Sequence, residues 1–327
     1  MSITITPETF HSFASLMSGS SNLKCELVFL IPGWLKAWWQ NFSAGAELFL
    51  VSVRKDDRLI GIAPLKIRGE TASFIGDADV CDYLDFIAMP GAENEFYSIL
   101  LDDLMRKGIR MLELVSIRPE STVISHLVTQ ARELGLESIC QVKDVSFELK
   151  LPASWDEYQQ MLDSKQRHEI RRKLSKLDRS GIACNYRTIR EKSEINNLLD
   201  TFFSLFRESR TDKASFMKPQ MESFFRSVSD EMSNTGLLRF GVLELNKKPG
   251  AIIMYFENKD CVFLYNSGYN PQFNSLSVGL ISKVLCIKDA IDKRKTKFDF
   301  LKGAEPYKQF LGGKEVRIYH CSIFLKK

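Results

Sequence analysis

Cysteine pairs, histidine clusters and long apolar runs are all missing from this sequence, and each absence closes off a class of protein. The seven cysteines, Cys25, Cys81, Cys140, Cys184, Cys261, Cys286 and Cys321, are scattered and form no CxxC doublet. An odd, dispersed set does not read as a disulfide framework and suits a reducing compartment, so a cytoplasmic protein is expected. The four histidines, His11, His126, His168 and His320, lie outside metal-ligand spacing of a cysteine or of each other, and no metal is expected. No basic stretch leads into an apolar run at the start of the chain, so no secretory signal is expected. The most apolar segment, Leu27 to Trp39, is interrupted by Pro32, Gly33 and Lys36 and is far shorter than the roughly 20 residues that span a bilayer. It reads as a core or interface element, with no transmembrane segment expected.

What is present suits a folded chain of two cores. With 44% hydrophobic and 11% aromatic residues there is ample apolar surface to bury, and 327 residues suggest two domains. Charge is divided unevenly. Residues 1–150 hold 14 basic and 20 acidic side chains, a net −6, whereas the remainder holds 31 and 21, a net +10. Anionic partners are therefore expected at the second half, unless its lysines are simply a solvated face.

Periodicity gives the same order of elements twice. Glu47 to Val53 and Leu59 to Ile67 read as strands about a polar turn, Arg54 to Arg58; Leu237 to Leu245 and Ala251 to Phe256 repeat the pattern about Asn246 to Gly250, with a third strand at Cys261 to Asn266. An offset of 189 residues sets Gly61 on Gly250 and Phe74 on Phe263. Each half continues with a helix, Asn94 to Arg106 and Leu276 to Asp292, and a short strand, Met111 to Ser116 and Phe298 to Leu301. A boundary is expected where the strand Val145 to Leu151 meets Pro152 and Ser154, a helix N-cap before Trp155 to Leu162, giving domains 1–150 and 151–327. Ser164 to Arg179 reads as a helix with seven basic residues, stopped by Gly181.

Several strings in this order resemble the CelD-type (BioF2-like) acetyltransferases of the GNAT superfamily, relatives of the Fem-type aminoacyltransferases. In the first half they are Pro32-Gly33-Trp34-Leu35 with Trp38-Trp39, then Leu59 to Leu65, then Asp82-Tyr83-Leu84-Asp85. In the second they are the basic helix ending in Gly181, Ser277-Val278-Gly279-Leu280, and Asp299 to Lys308. The resemblance covers nearly the whole chain. It implies an α/β (α+β) fold of two tandem GNAT-like domains, each a mixed, mostly antiparallel sheet flanked by helices. The usual glycine-spaced pyrophosphate loop is reduced here to Ser277-Val278-Gly279 after Asn274 and Ser275.

The residues can be read against the needs of such a site. A helix starting near Ser277 to Gly279 presents N–H groups and a positive dipole end to a pyrophosphate; Asn266, Ser277, Val278, Gly279 and Leu280 are the expected donor contacts. An ordinary Ser-capped helix is the alternative. Tyr265-Asn266-Ser267-Gly268 suggests a bulge that frees an amide for a thioester oxyanion, or simply a turn. Glu305 or Asp299 is expected as base for the acceptor amine, Tyr307 as proton donor to the leaving thiolate, and Lys302 or Lys308 as an anion contact. A turn-capping Asp299 and a solvated Lys308 are the competing reading. Arg167, Arg171 and Lys173 are candidates to face a phosphate-bearing donor, a nucleotide sugar or RNA, or else belong to a salt-bridged surface. Asp77, Asp79, Asp82 and Asp85 around Tyr83 either receive a cationic amine or cap turns.

The expected activity is N-acyl transfer from acetyl-CoA or another acyl-CoA to a small-molecule or sugar-linked amine. The resemblance implies exopolysaccharide or cell-envelope biosynthesis. Aminoacyl transfer from charged tRNA, or a non-catalytic partner in polysaccharide assembly, are the alternatives.

Overall fold

The computed structural model describes residues 2–19 and 27–325, apart from the side chain of Asp212; Cys25, and with it any expectation of its state, lies outside them. The strands in chain order are β1 (Ile3–Pro7), β2 (Glu47–Lys55), β3 (Arg58–Arg68), β4 (Thr71–Phe74), β5 (Ile87–Ala88), β6 (Met111–Ile117), β7 (Glu137–Lys150), β8 (Cys184–Ile189), β9 (Leu238–Leu245), β10 (Lys248–Glu257), β11 (Cys261–Tyr269), β12 (Lys297–Lys302) and β13 (Lys314–Phe324).

The chain divides into two compact units, Met1–Val145 with Val316–Lys327, and Ser146–Glu315. The limits expected from the sequence, 1–150 and 151–327, differ from these chiefly at the last strand, which falls in the first unit from Val316 onward. In the first unit the strand order is β1-β2-β3-β4-β6-β13, with β5 on β3; in the second it is β8-β9-β10-β11-β12 followed by β7 from Ser146. Every strand pair in this order with a recorded register is antiparallel except β4 with β6 and β11 with β12, the two joined by helical crossovers, Glu93–Arg106 and Val278–Asp292. Both units are thus mixed α/β, built in one order. From Ser146 onward β7 pairs with β12, and from Tyr319 onward β13 pairs with β6.

Side-chain periodicity follows from what covers each strand. Residues Leu59 to Lys66 of β3 and Gly250 to Glu257 of β10 are buried without interruption, as on strands covered on both faces, while β6 alternates. Both hairpins turn on two residues with positive φ, Asp56 (46°) and Asp57 (63°), and Asn246 (49°) and Lys247 (66°). These are type I′ turns, whose twist matches that of the flanking strands. The residues flanking each pair, which read as turn in the sequence, belong to the strands. Lys247 carries a Cβ where glycine is preferred, so Lys247→Gly is expected to raise stability by about 0.5–1 kcal/mol, measured by denaturant unfolding.

The turns also correct the repeat. Asp56 and Asp57 superpose in role on Asn246 and Lys247, the hairpin bulge residue Ile60 on Gly250, and the first parallel-paired residue Thr71 on Cys261. The offset is therefore 190, not 189. In a strand one residue exchanges the two faces, so Phe74 corresponds to Leu264 rather than Phe263.

Cys140 and Cys321 form a disulfide within the first unit. The odd, scattered cysteine set did not suggest it, because 181 residues separate partners that only strand pairing brings together. Cys81, Cys261 and Cys286 are buried thiols and Cys184 an exposed one. Among the described residues no helix is long and apolar enough to cross a membrane, and no group of three or more acidic, histidine or cysteine side chains is placed to hold a metal.

Candidate active site

The parallel strands β11 and β12 pair only over Cys261 to Phe263 and Lys297 to Asp299. Beyond these residues lies a cavity of about 380 Å³, lined by Leu264 to Ser267 and Tyr269 of β11, by Asn274, Ser277, Gly279, Leu280 and Lys283 at the head of the crossover helix, by Phe300 and Lys302, and by Glu305, Tyr307 and Lys308, with Arg210 and Lys213 from the helical segment before β9. Five basic side chains face one carboxylate. Such a cavity favours an anionic ligand.

Each wall has a local cause. In β11 the register shifts so that Met254 faces Asn266 and Tyr255 faces Leu264, which leaves Tyr265 as the extra residue of a bulge. The expected bulge is present, but glycine does not make it. Gly268 serves a different end: a Cβ there would sit 2.4 Å from the Phe206 backbone nitrogen, so the strand touches the helix Lys192–Ser209 backbone to backbone. Gly279 has a similar role, since its Cβ would lie 2.7 Å from Cδ1 of Tyr269. It seats that ring and also lines the cavity.

Ser277 occupies the N-cap position of the helix Val278–Asp292 with φ 55°, yet makes no side-chain cap. Its hydroxyl instead accepts a 2.7 Å hydrogen bond from Lys173 of the basic helix Ser164–Asp178, and Lys176 donates to the Ser275 carbonyl at 2.7 Å. Two ammonium groups therefore flank a helix N-terminus, whose first-turn N–H groups have no partner within the helix. Arg167 and Arg171 do not share this placement. Arg167 donates to the Gln159 carbonyl at 3.3 Å, and Arg171 clasps the Gln159 side-chain oxygen at 2.9 and 2.6 Å. Both are fastened to the neighbouring helix, a correction to their expected ligand role. Val278 is fully buried in the apolar core and Leu280 lines the cavity.

The closing loop separates its polar residues sharply. Asp299 is fully buried, off the cavity, and its Oδ1 accepts from the Leu301 N–H at 2.8 Å. Leu301 has φ 61° and follows the bulge in β12, so Asp299 holds that irregular turn and is not placed as a base. Lys308 is 2% exposed, and its ammonium donates to the carbonyls of Leu301 (3.0 Å) and Lys302 (2.5 Å) and pairs with Glu305 at 3.0 Å. Two of its N–H groups are taken by the loop's carbonyls, so Lys308 is buried and not the solvated residue of the competing reading. Lys302, Glu305 and Tyr307 line the cavity.

Sequence reading passed over Lys283. It lies on the crossover helix, is 7% exposed, and donates to the Gly279 carbonyl at 2.8 Å with Nζ 4.9 Å from the Tyr307 ring centre. Burial first, then the cations Lys213 and Lys308, push its pKa down to about 7, against the pull of Glu305. A signal existed: between Val278 and Ile287 it is the sole charged residue. Lys213, which no motif marks, donates to the Ser267 carbonyl.

The acidic cluster of the first unit disperses. Asp77 accepts from the Trp38 indole at 2.7 Å and from the Asp79 and Val80 N–H groups, and Tyr83 is buried under the Arg118 guanidinium, 4.6 Å from the ring centre. Asp82 is half-buried and lines no cavity described in this unit. Asp85 does line one, of about 290 Å³, with Arg118, Ser121 and Thr122, and desolvation pushes its carboxyl up to about 7.

Residues 164–309 match the family described as an acetyltransferase (GNAT) domain. No curated protein matches the sequence. Among solved structures the chain is similar to FemX (10% identity, TM-score 0.63, covering 97% of this chain and 96% of that one). It is also similar to a tandem GNAT protein from the clavulanic acid biosynthesis pathway (10%, 0.51, 100% and 99%) and to L-PGS from Bacillus licheniformis (10%, 0.53, 88% and 90%). At such identities the likeness is one of fold. The whole cavity lies inside the segment that matches the GNAT acetyltransferase model, and the chain carries the GNAT fold in tandem.

Proposed function

We propose that the chain is an N-acyltransferase that moves an acyl group from an acyl-CoA to an amine, with donor and transfer point in the cavity of the second unit. The observation that carries this reading is the opening between β11 and β12, which meets the N-terminus of the helix Val278–Asp292 beside Lys173 and Lys176. The thioester arm enters between the strands, with Asn266, Gly279 and Leu280 along it and Ser277 at the phosphates. Glu305 orients the acceptor ammonium, Tyr307 protonates the leaving thiolate, and Lys302 offsets negative charge. An acceptor on a sugar or envelope precursor, and a CelD-type assignment, rest on the sequence resemblance alone.

One feature favours a second reading. The excess of cations around the cavity also suits a charged tRNA, and one structural relative is FemX. Calorimetric titration with acetyl-CoA, longer acyl-CoAs and free coenzyme A distinguishes them. Saturable binding is expected in the wild type and its loss in Asn274→Trp, which fills the cavity mouth from an exposed position with Gly279 and Tyr269 untouched. Heat evolved by none of these ligands turns the search to aminoacyl-tRNA.

A further inference from the structure

We propose that Lys283 is the catalytic base of the transfer, taking the proton that the acceptor amine releases as it attacks the thioester. The inference rests on the acyl-transfer reading and adds a residue that neither the family match nor the sequence motifs assign.

Placement argues first. Lys283 reaches the cavity from the inner wall, one turn past Gly279, whose carbonyl holds its Nζ at 2.8 Å. The hydrogen bond fixes the nitrogen without consuming a lone pair, because a neutral amine donates through N–H and still accepts. Its ring neighbour is Tyr307, the proposed donor to the thiolate. Base and acid for one transfer therefore lie on adjacent walls. The carboxylate expected for the task is worse placed: Glu305 is already committed to the buried Lys308, 3.0 Å away on the closing loop.

Electrostatics argues second. The groups that face Lys283 are Lys213 from the preceding helical segment, Glu305 and Lys308 from the closing loop, and Cys286 on its own helix. Two cations and desolvation outweigh one carboxylate. The ammonium is disfavoured, and the side chain is neutral over a useful part of the neutral range, where a base is most effective.

The step balances. The amine nitrogen bonds to the thioester carbonyl carbon, the C–S bond breaks, the amine proton passes to Lys283 Nζ, and Tyr307 protonates the thiolate. Lys283 then returns its proton through solvent to the tyrosinate, giving amide and free coenzyme A.

The test uses the full chain with acetyl-CoA and an arylamine that is already neutral from pH 6 to 9. Thiol release in the wild type is expected to rise with pH through about 7 and then level. Lys283→Met, close in volume and uncharged, is expected to lose about 100-fold in kcat and the pH limb, with coenzyme A binding by calorimetry retained. A second measurement does not need turnover: reductive methylation with labelled formaldehyde, with the Lys283 signal assigned by its loss in the Met variant, should show a midpoint near 7. A midpoint near that of free lysine, or a Met variant that keeps rate and limb, overturns the proposal. A midpoint near 7 with no transfer to any amine removes the acyl-transfer reading, and the base role falls with it.

Discussion

Gly268→Ala should destabilise the protein by about 3 kcal/mol, and Gly268→Val should prevent the second unit from folding. The added Cβ would stand 2.4 Å from the Phe206 nitrogen, 2.6 Å from the Leu205 carbonyl carbon and 2.8 Å from the Phe206 Cα. All three are backbone atoms inside a helix, so no rotamer change relieves the clash and the helix Lys192–Ser209 must translate. That helix is pinned along its length, where Phe202, Phe203 and Phe206 are buried against Phe225 and Phe240. Interiors packed this tightly transmit such a shift. The first casualty is the placement of Tyr265, which stacks on Phe225 with ring centres 5.7 Å apart and lines the cavity. Denaturant unfolding measures the loss. A Gly268→Ala protein as stable as wild type would mean that the helix is free to move.

The same glycine shows where sequence reading reaches its limit. Asn-Ser-Gly at a strand end announces an irregularity, and one exists, but composition cannot say that the bulge falls at Tyr265 while Gly268 admits a helix lying 62 residues earlier in the chain. Local information was sufficient for both hairpins and the strands after their crossover helices, because alternation and turn chemistry are set by neighbours, but β1, β8 and β13, whose pairing partners lie far away in the chain, were not read. It was insufficient for register. Gly61 and Gly250, and Phe74 and Phe263, matched by residue type at 189, and only the paired turns reveal 190. It was also silent on lysines. Lys302 and Lys308 stand six apart in one polar loop and both line the cavity, and nothing in their spacing singles out Lys308 as the one buried against the loop's own carbonyls. Lys283 was legible in principle, as a single charge in an apolar helical run, because a buried ammonium without a task is rare.

Lys308 therefore carries the sharpest structural claim about the site. Replacing it with Met keeps the volume and removes the donor to two carbonyls, Leu301 and Lys302, and the ion-pair partner of Glu305. Each orphaned buried acceptor costs about 1–3 kcal/mol. Glu305 is half-exposed, so water replaces part of its lost pairing, and the ion pair adds little. The expected loss is about 3 kcal/mol. Function should suffer beyond the fold, because the ammonium is what holds the loop across Leu301, in left-handed conformation at φ 61°, and Gly303 at φ 112°. Once that clasp is gone, Glu305 and Tyr307 have no fixed distance from Lys283, and a displacement of about 1 Å at a reacting centre costs about 100-fold in rate. Coenzyme A binding, centred on the other wall at Ser277 and Gly279, should change by less than about threefold. Lys308→Arg is the discriminating companion. It restores the charge, but its planar fork cannot reach the same two carbonyls from a site that is 2% exposed, so it should fail to rescue kcat. Full rescue by Arg would show that a positive charge near Glu305 is all the loop requires and that the geometry of the clasp is immaterial.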